Sequence, residues 1–444
     1  MKDLLIRNAC VVNEGTRQEL DVLVDGGRIS QLSTSIDQSC RREIDAEGKW
    51  LLPGMIDDQV HFREPGLTHK GDIESESRAA VAGGITSFME MPNTNPTTTT
   101  HQRLAEKYAI GQDRAWANYA FYFGATNDNV EAIKTLKDGQ AAGVKVFMGS
   151  STGNMLVDHP ETLEAIFSHA PGIVTTHCED SPMIAANHAK AVEKYGDDIP
   201  ITEHPTIRSA EACWASSSMA VDLARRHGTL LHVLHLTTAR ELELFSPGPV
   251  EDKQITVEAC AHHLLFDETA YPDKGNFIKC NPAIKRPQDR AALVNAVAEG
   301  RIDVIATDHA PHTLDEKQGI YARAAAGLPL VQDAYSALMI LVKRNELTLE
   351  TVVDRTSHNV ARRYRVRDRG FIREGYWADL VLMDPNKPRR VERSQVMSRC
   401  GWSPFEGMEL GASVDTTIIN GNVAYENGQL SAQRVVQALE FIPR

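Results

Sequence analysis

The chain opens on short apolar runs broken by polar punctuation, with no helical period. Leu4-Leu5-Ile6, Val22-Leu23-Val24 and Ile29-Ser30-Gln31-Leu32 surround a Gly26-Gly27 pair, which predicts strands joined by a tight hairpin turn. The same texture returns only near the far end. There Leu380-Val381-Leu382-Met383 precedes Pro385, and Thr417-Ile418-Ile419 meets an Asn420-Gly421 turn before Asn422-Val423-Ala424-Tyr425. Two β segments flanking a long middle predict a composite β-sandwich domain built by both chain ends, residues 1–53 and 366–444.

Between them, short apolar runs alternate with longer helix-like stretches, the pattern of βα units around a parallel sheet. The candidate strands are Met55 to His61, Thr86 to Met91, Tyr119 to Gly124, Val144 to Met148, Gly172 to His177, Thr229 to His235, Ile255 to Ala261 and Ile302 to Asp308. That is the complement of an α/β protein of the (β/α)8, TIM-like barrel type, here over residues 54–365. Helices are expected around Ser75 to Ala82, Arg208 to His227 and Pro287 to Glu299, where Pro287 suits a first turn. No self-similarity at repeat length appears, which argues against a solenoid. The 444 residues would allow about three domains by length alone, so the pattern reduces the count to two units.

The polar residues fall where such a barrel does chemistry, at the C-terminal ends of its strands. Alternation along Ile56-Asp57-Asp58-Gln59-Val60-His61-Phe62-Arg63 sets Asp57, Gln59, His61 and Arg63 on one face. Lys145 interrupts the apolar run Val144 to Met148, and a free ammonium buried there needs an explanation. Two remain open: a partner carboxylate, or reaction of the amine with CO2 to give a carbamate able to bridge two cations. His177, His235 and Asp308 each close a strand. Five groups of metal-ligand type (His61, Lys145, His177, His235, Asp308) at the ends of different strands point to a metal centre suited to zinc. His232, in the opposite phase to His235, reads as a packing histidine, and the His262-His263 pair reads as structural. The Gly-rich segment Gly149 to Asn154 suits a mobile loop over the site or an ordinary βα connection. There is no GxSxG elbow, no P-loop and no GxGxxG after a strand.

Composition narrows the partners. Hydrophobic content of 42% and charged content of 24% belong to an ordinary globular protein, not a disordered or collagen-like one. No apolar run approaches the ~20 residues of a membrane span, and Arg7 interrupts the first apolar stretch before a signal-peptide core forms, so a cytoplasmic location is expected. The seven cysteines are scattered without CxxC pairs, which argues against disulfides and a Cys-rich zinc site. A net charge of -13 offers no footprint for nucleic acid or an anionic membrane. An anionic substrate would therefore need a locally positive pocket.

Three stretches resemble the dihydroorotases of the amidohydrolase superfamily: Pro53-Gly54-Met55-Ile56-Asp57-Asp58-Gln59-Val60-His61-Phe62-Arg63-Glu64-Pro65-Gly66, then Met91-Pro92-Asn93-Thr94, and Ala306-Thr307-Asp308-His309-Ala310-Pro311-His312. The similarity runs nearly end to end. The Arg-Glu-Pro-Gly after His61 and the Pro-Asn-Thr separate this family from most hydantoinases and allantoinases. The resemblance implies zinc-dependent, reversible conversion of N-carbamoyl-L-aspartate to L-dihydroorotate in pyrimidine biosynthesis. It further implies one or two Zn2+ per chain, with carbamylated Lys145 between two metals, His61 and Asp308 on one and His177 and His235 on the other. Asp308 would be the general base and acid, and Arg63, Asn93 and His312 would hold the substrate's free carboxylate. One position departs from the family pattern: Gln59 stands where the first metal histidine is usual, and an amide oxygen is a weaker zinc ligand than imidazole. Two other readings compete, a hydantoinase- or allantoinase-like cyclic amidase and a non-catalytic scaffold for aspartate carbamoyltransferase. The expected partners are a small anionic molecule and, as is common for such enzymes, a second copy of the chain in a dimer.

Overall fold

The computed structural model describes residues 1–149 and 155–444. Of the first five strands, β1 (Lys2–Asn13), β2 (Thr16–Asp25) and β3 (Arg28–Ser33) form at the apolar runs expected to be strands, and β4 (Cys40–Asp45) and β5 (Trp50–Pro53) are two that no such run predicts. In β1, Leu4 and Ile6 enter one core with Val22 and Val24. A bulge between Ile6 and Ala9 shifts the phase by one residue, so Ala9 and Val11 continue that core while Val12 turns toward the barrel.

The next nine strands build the barrel: β6 (Met55–Val60), β7 (Ile85–Glu90), β8 (Asn118–Phe121), β9 (Phe123–Gly124), β10 (Val144–Phe147), β11 (Ile173–His177), β12 (Leu230–Val233), β13 (Ile255–Cys260) and β14 (Val304–Ala306). Strands β8 and β9 are one expected strand, interrupted at Tyr122. Every pairing is parallel, and the ring closes through a bridge between Val60 and His309, where His61 N donates to His309 O at 2.7 Å. The three expected helices appear as Ile73–Ala82, Ala210–His227 and Pro287–Ala298. Their ends follow from side chains: Asp72 caps the first in a capping box with Ser75, and Ser209 caps the second, which stops at Gly228 with φ 68°.

The remaining strands are β15 (Leu380–Asp384), a short pair β16 (Arg389–Arg390) and β17 (Glu409–Leu410), then β18 (Ser413–Ile419), β19 (Asn422–Glu426) and β20 (Gln429–Leu430). Antiparallel pairing of β15 with β5 joins the two chain ends into one nine-stranded sheet in the order β20-β19-β18-β15-β5-β1-β2-β3, with β4 beside β1. The barrel with its β-sandwich-type companion is the fold expected. Leu51, Leu380, Leu382 and Ile418 fill the sheet's own core; the alternate residues Leu52, Val381, Met383 and Ile419 pack into the barrel core. Both glycine turns adopt positive φ at their two central residues, Gly26 and Gly27 (58° and 80°) and Asn420 and Gly421 (48° and 74°). The two turns touch: a Cβ on Gly421 would lie 2.6 Å from the Gly27 Cα.

The N-terminal mouth of the barrel is plugged by the helix Asn359–Tyr364. Arg363 donates to Leu231 O, Gln254 O and Lys253 O, and Asn359 Nδ2 to Asp303 O at 2.9 Å. The span between β16 and β17 lies against the barrel, where Trp402 Nε1 donates to His312 O at 2.8 Å. Among the described residues every cysteine is free, and no helix is long and apolar enough to cross a membrane.

Candidate active site

The eight residues singled out from the sequence, His61, Arg63, Asn93, Lys145, His177, His235, Asp308 and His312, line one cavity of about 380 Å³ at the C-terminal end of the barrel. Gln59, Lys70 and Asn281 line it too. Of the segment Gly149 to Asn154, residues 150–154 lie outside the described residues.

Three of the eight sit in the left-handed backbone region, Arg63 (φ 71°), His235 (φ 41°) and Asp308 (φ 51°). A residue with a Cβ adopts this region at a cost of about 1–3 kcal/mol, so neighbouring contacts must hold it there. Around Asp308 they do so from both sides. Thr307 gives its N–H and hydroxyl to the Asp57 carboxylate (3.1 and 2.6 Å), and His309 sits 2.9 Å from Glu76 Oε2 while its Nδ1 accepts from Leu330 N at 2.8 Å. The His235 N–H donates to Glu258 Oε1 at 3.2 Å.

Two expectations about strand phase are corrected here. Asp57 does not share the cavity face with Gln59, His61 and Arg63, because β6 carries register shifts at Met55/Ile56 and Asp57/Val60, and the carboxylate turns to Thr307 instead. His232 does not point away from the barrel interior. Strand β12 ends at Val233 and positive φ redirects His235, so both histidines face inward, His232 toward Asp58 and Glu258.

The polar groups form two linked sets. In the first, Asn93 Oδ1, which can only accept, lies 2.8 Å from His61 Nδ1 and so fixes the proton there. The lone pair on His61 Nε2 then faces Asp308 Oδ1 at 3.2 Å. Gln59 donates its amide Nε2 to that same Asp308 oxygen at 3.0 Å, so it restrains the carboxylate from the position where the family pattern has a histidine. In the second set, His177 Nε2 lies 2.9 Å from Glu179 Oε2, which leaves Nδ1 as a lone pair 2.9 Å from His235 Nε2. Burial would raise Glu179, but Arg208, with His177 and Lys285, outweighs it and holds the carboxyl down to about 2.

Burial also pushes His61, His177 and His235 below the ordinary imidazole range, so all three present neutral rings. Lys145 is buried, and that burial pulls its amine down to about 8 against the opposing charges of Asp308 and Glu258. The His61 lone pair facing a carboxylate oxygen across 3.2 Å calls for a cation between them, and His177 Nδ1 and His235 Nε2, 2.9 Å apart, converge on the same cavity. Neutral imidazole, carboxylate and an amine able to become a carbamate are the donor types a divalent transition metal takes. The orienting contacts from Asn93 and Glu179 are what such ligands need.

The same cavity carries the expected positive group. Arg63 is buried, which lowers it to about 10, and it gives Nε to Pro311 O at 3.1 Å while Nη2 lies 3.1 Å from His312 Nε2. Lys70 Nζ lies 3.2 Å from His312 Nδ1. Burial and the charges of Arg63, Lys70 and Lys317 push His312 far below its ordinary range, so it is a neutral ring between two cations. Lys70 and Asn281 escaped the sequence reading because they sit in loops that carry no period. Glu179 did have a signal: it is two residues beyond His177, on the same face.

The amidohydrolase family profile matches residues 50–424. The chain is 34% identical to a dihydroorotase of Halobacterium salinarum over 430 residues, 96% of this chain and 98% of that one. It is 32% identical to a dihydroorotase of Clostridium acetobutylicum over 439 residues, covering 96% and 100%. Among solved structures it is similar to the L-hydantoinase (dihydropyrimidinase) from Arthrobacter aurescens, with a TM-score of 0.93, 25% identity and coverage of 99% and 100%.

Proposed function

For a chain that belongs to the amidohydrolase family and, within it, to the dihydroorotases, we propose the reversible, zinc-dependent conversion of N-carbamoyl-L-aspartate to L-dihydroorotate and water, a cytoplasmic step of pyrimidine biosynthesis. The observation that carries the reading is a single cavity in which metal-ligand groups meet a buried guanidinium. His61 and Asp308 would hold one zinc and His177 and His235 a second, with Lys145 carbamylated between them. Lys145 at about 8 has free amine available near neutral pH, the form that adds CO2. Bound there, the metal ions would supply Lewis-acid polarisation of the ring carbonyl and an acidified water.

The chain's own residues do the rest. In the hydrolytic direction Asp308 takes the proton of the attacking water and passes it to the departing ring nitrogen, and in ring closure it runs the same transfer in reverse. Gln59 and the Thr307 and His309 contacts keep that carboxylate in place. Arg63 offers the planar fork that matches the substrate's free carboxylate, with Asn93 and neutral His312 as further hydrogen-bonding groups and Lys70 adding positive charge. This cationic end argues against hydantoin, which has no such carboxylate, although the solved relatives of similar fold include hydantoinases. Retention of the five metal-type residues argues against a non-catalytic scaffold.

Turnover of L-dihydroorotate against hydantoin and allantoin by the zinc-loaded protein tests the reading. Dihydroorotate is expected to be the preferred substrate, and the cavity to bind up to two zinc ions per chain, the one beside Gln59 leaving first. Turnover of hydantoin without turnover of dihydroorotate would overturn it, as would absence of metal from this cavity in protein purified without chelators.

A further inference from the structure

Asp58, His232 and Glu258 meet inside the barrel, outside the cavity just described. Asp58 precedes the cavity residues Gln59 and His61 along the chain, and His232 precedes His235, so the trio lies closer to the N-terminal mouth. All three side chains are fully buried. His232 Nε2 is 3.4 Å from Asp58 Oδ2 and 3.6 Å from Glu258 Oε2. Both Asp58 oxygens, His232 Nε2 and Glu258 Oε2 have no hydrogen-bond partner among the described residues.

The tautomer of His232 is set from behind. Its Nδ1 is 2.8 Å from Thr256 Oγ1, and that hydroxyl lies 3.4 Å from Leu231 O, to which it donates. The hydroxyl therefore accepts from Nδ1–H, and Nε2 is the ring atom left facing the two carboxylates, whose charges outweigh burial and raise the ring's affinity for a cation. A proton on Nε2 would find neither carboxylate in hydrogen-bonding geometry at 3.4 and 3.6 Å, so these buried atoms stay without partners unless a larger cation lies between the three groups. The spacing suits one ion: tetrahedral zinc with bonds of about 2.0–2.2 Å separates its ligand atoms by roughly 3.3–3.5 Å. Two carboxylates and one neutral imidazole would also balance a divalent charge, and the Thr256 contact is the usual support behind a ligating histidine.

We propose that Asp58, His232 and Glu258 bind a divalent first-row transition cation, best suited to zinc, at a site separate from the catalytic cavity. The ion ties β6 to the adjacent pair β12 and β13, neither of which neighbours β6 around the barrel. It also fixes Glu258, whose other oxygen accepts from the His235 N–H at 3.2 Å, and so acts as a positioning element for His235.

Anomalous diffraction at the zinc edge, on crystals of the zinc-loaded full chain, reads both sites independently. The inference expects a peak bounded by Asp58, His232 and Glu258, and a loss of one zinc per chain by elemental analysis in Glu258→Gln, whose amide keeps the shape and gives up the charge. A peak confined to the cavity would overturn this inference and leave the proposed function standing. A peak at the trio alone would support the inference and overturn the metal reading of the cavity. An unchanged zinc count in Glu258→Gln would also overturn it, and the wild-type map decides the matter if the variant does not fold.

Discussion

Strand β14 is flanked by an aspartate on each side, one at each mouth of the barrel. At the N-terminal mouth Asp303 accepts from Val257 N at 3.0 Å and from Lys253 Nζ at 2.6 Å. At the C-terminal mouth Asp308 adopts φ 51° and faces Gln59 and His61 in an open cavity. The arginines repeat the contrast. Arg363 and Arg63 are both buried, and burial pushes each down to about 10. Arg363 gives its terminal nitrogens to three backbone carbonyls, while Arg63 gives one nitrogen to a carbonyl and lines the cavity. Burial and charge are thus alike at the two ends. The difference is whether the polar atoms are committed to the fold or left to meet a ligand.

Exchanging one charge at each mouth tests this most strongly. Asp308→Asn cannot take up a proton, so kcat should fall by roughly 10²–10⁴-fold with the thermal midpoint close to wild type. Asp303→Asn should do the reverse. Breaking its buried pair with Lys253 costs about 3 kcal/mol of stability, read by urea unfolding, with activity per folded molecule retained. If Asp308→Asn kept its activity, the assignment of the C-terminal mouth would be wrong.

The same contrast explains what was legible in the sequence. The eight barrel strands were visible because buried parallel strands are apolar runs, and the site was visible because those runs end in His, Lys and Asp. The phases of Asp57 and His232 were not, since a bulge in β6 and the positive φ at His235 break the simple count of two. The trio of Asp58, His232 and Glu258 was hidden for that reason. Lys70 and Trp402 were hidden for another: they reach the site from loops and from far along the chain, where no local pattern records the contact.

A smaller effect comes from the arginines. Arg63→Met should lower kcat/KM for dihydroorotate by roughly 10–100-fold, the worth of about 1.5–3 kcal/mol for hydrogen bonds to a charged group, with little change in stability. Arg63→Lys should recover only part, because the ammonium keeps the charge without the fork. Arg363→Met should leave KM unchanged and lower stability by about 2–4 kcal/mol, as one buried and two part-buried carbonyls lose this donor. A KM effect from Arg363→Met as large as that from Arg63→Met would erase the distinction between the two mouths.

The lysines carry the smallest effect and the sharpest pH signature. Lys253 is committed to Asp303 and to Gly300 O, whereas Lys145 lies in the cavity with its amine lowered by burial to about 8. Only a free amine adds CO2, so the metal-stripped protein given 13C-bicarbonate and zinc should form a carbamate at Lys145 and none at Lys253. Going from pH 7 to pH 8 raises the free-amine fraction from about a tenth to about a half, so the initial rate of reactivation at fixed dissolved CO2 should rise about fivefold and level off above pH 9. The sign of the linked stability is fixed as well. Lys145 titrates lower in the folded chain than the ordinary 10.5, so the unfolded chain binds more protons between pH 8 and 10.5, and the uncarbamylated native state gains stability as pH rises through that window. A reactivation rate that does not change between pH 7 and 8, at constant CO2, would show that Lys145 is not the group whose deprotonation completes the site.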